Sequence, residues 1–201
     1  DEWPYLVNAT FNPGAIEHNG ETILLVRVED MRGVSHLTIA RSKDGRGDWE
    51  IEKNPFLQPD PDVKEKWSIG DPRVVWMEDL EKYVITYVTF AAEGFGVSLA
   101  TTKDFQSIER KGLLLPPGHK DAALLPRMIN DRYVMLHRSA AENQAHIWMS
   151  FSPDLKYWGD HKIVLPARSG LWDCTKVGLG PPPIETNEGW LVLYYGTNET
   201  N

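Results

Sequence analysis

The stretch LEKYVITYV, residues 80–88, is a polar turn followed by a strand of alternating apolar residues. The pattern recurs three times, as NGETILLVR (19–27), NDRYVMLHR (130–138) and NEGWLVLYY (187–195). In the aligned segments, the equivalent residues Thr22, Tyr83, Tyr133 and Trp190 lie 61, 50 and 57 residues apart. An all-strand repeat of this length is typical of a β-propeller, in which each repeat forms one four-stranded blade.

A second strand and a shared turn follow the first three segments: ARSKD at 40–44, ATTKD at 100–104 and MSFSPD at 149–154. We interpret Asp44 and Asp104 as turn residues rather than acids. Helical periodicity is nearly lacking, so residues 1–201 are expected to form one all-β domain. The fourth unit ends after its second strand, and a closed ring of such units needs about five. The sequence therefore predicts a five-bladed β-propeller, truncated within its fourth blade at the C-terminus.

Composition limits the partners. A net charge of -8 argues against binding to nucleic acid, and no apolar run is long enough for a membrane helix. The single cysteine, Cys174, excludes an internal disulfide, and we expect a cytoplasmic protein. Eight Trp and seven Tyr suit a sugar-binding cleft, although aromatic residues also fill β-rich cores. The sequence leaves open whether the chain forms a homo-oligomer.

The repeat predicts which side chains converge on the central axis. A short innermost strand precedes each unit, at residues 11–16, 71–75, 120–126 and 176–184. The leading polar residues of these strands would ring one axial cavity, and they are Asn12, Asp71, Lys120 with Asp121, and Lys176. Equivalent positions five residues after the alignment point hold Arg27, Val88, Arg138 and Tyr195. The alternative interpretation is that these residues are solvated strand ends.

The segment Asp71-Pro72-Arg73 supplies the acid of this cavity. Pro72 disfavours a helical conformation at Asp71, and an extended segment would place Asp71 and Arg73 on the same side. The alternative is that Asp71 and Arg73 form an ion pair with only a structural role. A cavity with one acid and many cations suits the binding of an oxyanion. It does not match the two carboxylates that flank the glycosidic bond in a typical glycosidase. We therefore expect phosphorolysis, in which phosphate attacks the anomeric carbon while Asp71 protonates the leaving oxygen.

Histidines give no metal signal. No pair of histidines has metal-ligand spacing on one element, so neither a metal nor a cofactor is expected. Inorganic phosphate is the expected co-substrate. His119 beside Lys120 and His137 beside Arg138 are interpreted as solvated or core histidines, with ligand contact as the alternative.

With these motifs in place, the chain resembles glycoside hydrolase family 130, the β-mannoside phosphorylases and related β-mannosidases. The matching motifs follow the family order and lie at residues 11–13, 25–30, 71–73, 124–127, 136–138, 176–184 and 189–196. The resemblance implies a five-bladed β-propeller. It also implies an inverting reaction of a β-mannoside, a mannose-containing oligosaccharide, with phosphate, which gives α-mannose 1-phosphate and a shortened acceptor.

The resemblance also implies roles for single residues. Asp71 matches the general acid, whose proton is thought to pass through the mannose 3-hydroxyl. The mannose-binding positions are Asn12, Arg27 and Arg138, with Arg73 as a further substrate-binding candidate. The phosphate-binding positions are Lys120, Asp121, Lys176 and Tyr195.

Three positions depart from the common phosphorylase pattern. Tyr195 stands where many phosphorylases have a histidine, Lys120-Asp121 where many have Arg-Asn, and Gly70 where a larger residue is common. Asp121 would repel phosphate unless it pairs with a lysine. Two alternatives therefore stay open: an inverting β-mannosidase that uses water, and a catalytically silent sugar-binding propeller.

Overall fold

Antiparallel strands build nearly all of the structure, a computed structural model that describes residues 3–60, 62, 67–139 and 145–198. The strands are β1 Ala9–His18, β2 Glu21–Glu29, β3 Ser35–Ser42, β4 Glu50–Ile51, β5 Ser68–Met77, β6 Lys82–Ala91, β7 Gly94–Thr102, β8 Glu109–Leu115, β9 His119–Leu124, β10 Tyr133–Ser139, β11 Ile147–Ser152, β12 Gly159–Leu165, β13 Lys176–Leu179, β14 Ile184–Thr186, β15 Gly189–Leu191 and β16 Tyr194–Thr197. A short 3-10 helix, Glu78–Leu80, joins β5 to β6. In the described ranges no helix is long and apolar enough to cross a membrane. The all-β prediction is confirmed.

Three four-stranded sheets, β1–β4, β5–β8 and β9–β12, each pair their strands in chain order. They stack face to face because successive side chains of one strand point to opposite faces. Val74 and Ile85 of the second sheet pack against the first sheet, whereas Val75 and Val84 pack against the third. Each central strand is therefore buried on both faces.

The first strands of successive units are neighbours, since β1 contacts β5, β5 contacts β9, and β9 contacts β13. The approach of β1 to β5 is close: a Cβ added to Gly14 would lie 2.9 Å from the carbonyl oxygen of Pro72. This arrangement is consistent with a propeller whose first strands surround an axis. Within the described part of the chain no sheet closes on itself, so the five blades and the truncation stay predictions.

The shared turn has the same geometry in all three sheets. Oδ1 of Asp44, Asp104 and Asp154 each accepts two backbone N–H groups from the residues two and three positions later. These hydrogen bonds lower the pKa of all three carboxyls, because they favour the charged form. Asp44 and Asp104 therefore serve the turn.

The fourth unit differs from the prediction. Residues 176–184 and 187–195 were each expected to form one strand, but the structure divides them into β13 with β14 and β15 with β16. β13 pairs with β16, and β14 pairs with β15. Pro181-Pro182-Pro183 separate β13 from β14, because three prolines in a row supply no N–H donors to a ladder.

Replacing Leu124 tests the packing between the second and third sheets. Leu124 is 1% exposed in the core cluster that joins them. We expect Leu124→Ala to lower the free energy of unfolding by about 3 kcal/mol, because it leaves a cavity. Leu113→Ala, at a leucine that is 43% exposed, is the control and should cost about 0.5 kcal/mol. Equal losses in urea denaturation would contradict this packing.

Candidate active site

A β-bulge interrupts the first strand of each four-stranded sheet. In each bulge two residues oppose one: Asn12-Pro13 in β1, Asp71-Pro72 in β5, and Asp121-Ala122 in β9. Asn12, Asp71 and Asp121 have φ of 48°, 49° and 51°, in the left-handed region that Asn and Asp tolerate best among residues with a side chain. Bulges of this kind re-aim side chains, and here they repeat at equivalent positions in three sheets.

The bulge corrects the expectation that Asp71 and Arg73 share one side of an extended strand. Asp71 is not extended, and Arg73 turns to backbone carbonyl oxygens. Its Nε donates to Gly180, its Nη1 to Pro72 at 3.0 Å and its Nη2 to Leu179 at 3.5 Å. Arg73 thus fastens β5 to the end of β13, and its predicted contact with substrate stays a prediction.

Asp71 lies in a first polar cluster between the first two sheets. Its Oδ1 accepts hydrogen bonds from Asn12 Nδ2 at 2.8 Å and Arg27 Nη1 at 3.1 Å. The carboxylate is buried, with 7% of the side chain exposed. Among the described residues no donor contacts Oδ2. One carboxyl oxygen is thus held in place, and the other is available to a ligand.

Gly70 makes room for Arg27 in this cluster. A Cβ on Gly70 would lie 2.4 Å from Arg27 Cδ, closer than real atoms approach. The guanidinium also packs 4.4 Å from the ring centroid of Phe11, and its Nε donates to Ser35 Oγ at 3.1 Å. The unusual glycine before the acid therefore allows Arg27 to cross onto the second sheet and reach Asp71.

A second polar cluster surrounds Asp121. Its Oδ2 accepts from Arg138 Nε at 2.8 Å and from the Tyr195 hydroxyl at 2.6 Å. Asp121 and Arg138 are each 5% exposed. Burial, reinforced by the charge of Asp121, raises the pKa of Tyr195 to about 12, so the phenol stays protonated at neutral pH. The partner that neutralises Asp121 is therefore an arginine and not the lysine that the sequence suggested.

Lys120 and Lys176 are half-buried beside the second cluster. The ammonium of Lys120 lies 5.4 Å from the Phe95 ring centroid, and that of Lys176 lies 5.8 Å from the Tyr195 ring centroid. Within the described ranges neither ammonium has a carboxylate in salt-bridge distance. These two positive charges are uncompensated, as an anion-binding site requires.

A cleft of about 460 Å³ opens beside Arg27. Its other lining residues are Arg32, Gly33, Val34, Trp67, Ser68 and Phe90. Trp67 is 57% exposed, which is unusual for so large an apolar ring. The structure thus brings Asn12, Arg27 and Asp71 into one cluster, next to a cleft that the repeat did not predict.

Comparison with known proteins identifies the family of this chain. The family model described as beta-1,4-mannooligosaccharide phosphorylase, of glycoside hydrolase family 130, matches residues 3–201. The chain belongs to glycoside hydrolase family 130. The resemblance seen in the sequence motifs is confirmed.

Relatives of this family 130 chain include phosphorylases and hydrolases. It is 36% identical to the 1,2-beta-oligomannan phosphorylase of Thermoanaerobacter sp., over 96% of this chain and 66% of the relative. It superposes on the beta-1,2-mannobiose phosphorylase of Listeria innocua, in complex with beta-1,2-mannobiose, with a TM-score of 0.88 and 32% identity over 97% of this chain and 70% of that one. A second structure comes from a study of family 130 glycoside hydrolases that target beta-1,2 mannosidic linkages in Candida mannan. It has a TM-score of 0.84 and 26% identity over 97% of this chain and 62% of that one. The chain spans roughly two thirds of the length of these relatives.

The sequence missed some neighbours of the predicted site. Trp67 and Phe90 sit at the ends of strands that the repeat had already identified, but nothing in the alternation pattern marks them as cleft residues. Arg32 belongs to the turn between β2 and β3. The surplus of tryptophan was the one available signal, and it did not specify which rings are exposed.

The two histidines beside the site belong to a chain of hydrogen bonds, and the central members of this chain, His137 and Ser150, are buried. His119 Nδ1 lies 3.2 Å from His137 Nδ1, His137 Nε2 lies 2.7 Å from Ser150 Oγ, and Ser150 Oγ lies 2.6 Å from His161 Nδ1. Burial, followed by the nearby charges of His119 and His161, lowers the pKa of His137 to about 3. His137 is thus a neutral core histidine at physiological pH. Among the described residues no group of three or more potential ligands is placed to hold a metal.

The buried His137 predicts an acid sensitivity of the fold. Its pKa in the folded protein, about 3, lies below its ordinary value of 6.5, so the unfolded chain takes up the proton first as pH falls. The stabilisation is therefore complete above pH 6.5 and is lost between 6.5 and 3, by up to about 1.4 kcal/mol per pH unit. We expect His137→Gln to flatten this slope when urea denaturation is measured between pH 7 and pH 4. An unchanged slope would show that His137 is not the group responsible.

Proposed function

We propose that this family 130 chain carries the catalytic site of an inverting β-mannoside phosphorylase. Phosphate forms a bond to the anomeric carbon from one face, and the glycosidic C–O bond breaks on the other. The electron pair goes to the leaving oxygen, which receives the Asp71 proton through the mannose 3-hydroxyl. The products are α-mannose 1-phosphate and a shortened acceptor, and no cofactor is needed.

The charge balance of the two clusters supports phosphorolysis. Hydrolysis with inversion needs a second carboxylate that activates water. The second carboxylate, Asp121, already accepts hydrogen bonds from Arg138 and Tyr195 on one oxygen. Asp71 and Asp121 each have an arginine on one oxygen, so the feature that favours an anion beside Asp121 is the pair of uncompensated lysines, Lys120 and Lys176.

The phosphate is proposed to bind between Lys120 and Lys176. The Tyr195 hydroxyl donates to Asp121 in this structure, so its role is to hold that carboxylate and to support Lys176 with its ring. The lysines then supply the charge that phosphate needs. The mannose is proposed to lie against Asn12, Arg27 and Asp71, with Arg138 towards the phosphate.

Hydrolysis is the second candidate, and two observations favour it. Asp121 occupies the bulge position equivalent to that of Asp71 on the neighbouring strand, where it could serve as a base if its partners moved. A family 130 structure linked to hydrolases also superposes on this chain. Replacing Asp121 by Asn would then abolish activity in phosphate-free buffer.

Five blades are proposed for the complete propeller. The repeat length of 50–61 residues and the superposition on family 130 structures support this number. The cytoplasmic location and the oligomeric state stay predictions.

Activity on a β-linked mannobiose tests the proposal. We expect α-mannose 1-phosphate to form only when phosphate is present. Asp71→Asn, which keeps a residue that tolerates φ of 49°, should lower kcat by a factor of about 10²–10⁴. Asp131→Asn is the matched control, an exposed Asp with φ of 58° in a turn, and should leave kcat unchanged.

Two results would contradict phosphorolysis. Equal release of free mannose without phosphate would identify a mannosidase. Sugar binding with no turnover of any mannoside, and unaltered by Asp71→Asn, would identify a silent sugar-binding propeller.

A further inference from the structure

The cleft beside Arg27 has the features of a sugar-binding subsite that adjoins the proposed mannose position. Trp67, directly before β5, and Arg32, in the turn between β2 and β3, both line it. Trp67 is 57% exposed and Arg32 has 80% of its side chain exposed. An exposed indole face stacks on the C–H face of a pyranose, and a guanidinium donates to sugar hydroxyls.

The side chain of Arg32 and the backbone of Trp67 are held by hydrogen bonds. Arg32 donates from Nε and Nη2 to Asp30 Oδ2 at 2.9 and 2.7 Å, which leaves Nη1 without a partner among the described residues. Asp30 Oδ1 also accepts the backbone N–H groups of Arg32 and Val34, so the turn is fixed. The backbone N–H of Trp67 donates to Phe90 O at 3.1 Å. The rim is therefore preorganised, which lowers the cost of binding.

The order of the sheets assigns the subsite to one half of the substrate. The cleft lies between the first and second sheets, whereas Lys120 and Lys176 lie in the third and fourth units. In the order of the sheets, Asp71 on β5 lies between the cleft and the two lysines. In an inverting displacement the attacking and leaving oxygens occupy opposite faces of the anomeric carbon. If phosphate binds at the lysines, the leaving sugar departs towards Trp67.

We infer that Trp67 and Arg32 form the acceptor subsite, which binds the sugar on the leaving side of the scissile bond. This inference rests on the proposed phosphorolysis. Trp67 provides the stacking surface, and Arg32 Nη1 provides the donor that selects the orientation of the acceptor hydroxyls. The two residues thereby determine which acceptors are used, and they take no part in the chemical step.

The reverse reaction tests the inference because it measures the donor and the acceptor separately. With α-mannose 1-phosphate and mannose as substrates, Trp67→Ala should raise KM for the acceptor about tenfold and leave KM for α-mannose 1-phosphate within about twofold. Trp67→Phe should restore part of the affinity, and Arg32→Ala should change the preference among acceptor sugars. Trp76→Ala, near the far end of β5, is the control and should change neither KM value.

The outcomes separate this inference from the proposed function. An equal rise in both KM values, or no change in either, would overturn the acceptor subsite. If the wild-type protein shows no phosphorolysis or synthesis, calorimetry with β-linked mannobiose and with mannose replaces kinetics. Loss of mannobiose affinity in Trp67→Ala with mannose affinity intact would then support the subsite although the proposed function has failed. Unchanged mannobiose affinity would overturn it.

Discussion

The left-handed conformation at Asn12, Asp71 and Asp121 is the constraint on which the polar site depends. Each residue is the first of two that oppose a single residue, so its side chain leaves the regular alternation of the strand. Without the bulge, these side chains would point into an apolar layer between sheets, where an unpaired carboxylate is very costly. The bulges place them at the ends of those layers, where Arg27 and Arg138 can meet them.

The two carboxylates that result have similar surroundings. Each has one oxygen held by two donors, which are Asn12 and Arg27 at Asp71 and Arg138 and Tyr195 at Asp121. Among the described residues the other oxygen of each carboxylate has no partner. One fold device, repeated in neighbouring sheets, thus produces two carboxylates that are each paired with an arginine. We propose Asp71 as the acid and Asp121, beside the two lysines, as a support of the anion site. Glycines complete the arrangement, since Gly70 admits Arg27 and Gly178 admits the Tyr195 ring, which a Cβ would meet at 2.3 Å.

The sequence predicted the sheets well because the central strands are buried on both faces, which leaves a strong and repeated pattern such as 80–88. It failed where local chemistry overrides that pattern. Three consecutive prolines separate β13 from β14, and the bulge turns Asp71 away from Arg73. The convergence of Asn12, Arg27 and Asp71 followed from the repeat, since equivalent positions meet at the axis. The pairing of Asp121 with Arg138 and the exposure of Trp67 depend on side-chain placement, which periodicity does not encode.

We propose that phosphate and the leaving sugar occupy opposite faces of the mannose anomeric carbon, with phosphate at the two lysines and the leaving sugar at Trp67. A crystal structure of the Asp71→Asn variant with phosphate and a β-linked mannobiose tests it most directly. We expect phosphate within hydrogen-bond distance of Lys120 Nζ and Lys176 Nζ, with the second sugar stacked on Trp67. Phosphate beside Arg32, or the second sugar beside the lysines, would contradict it.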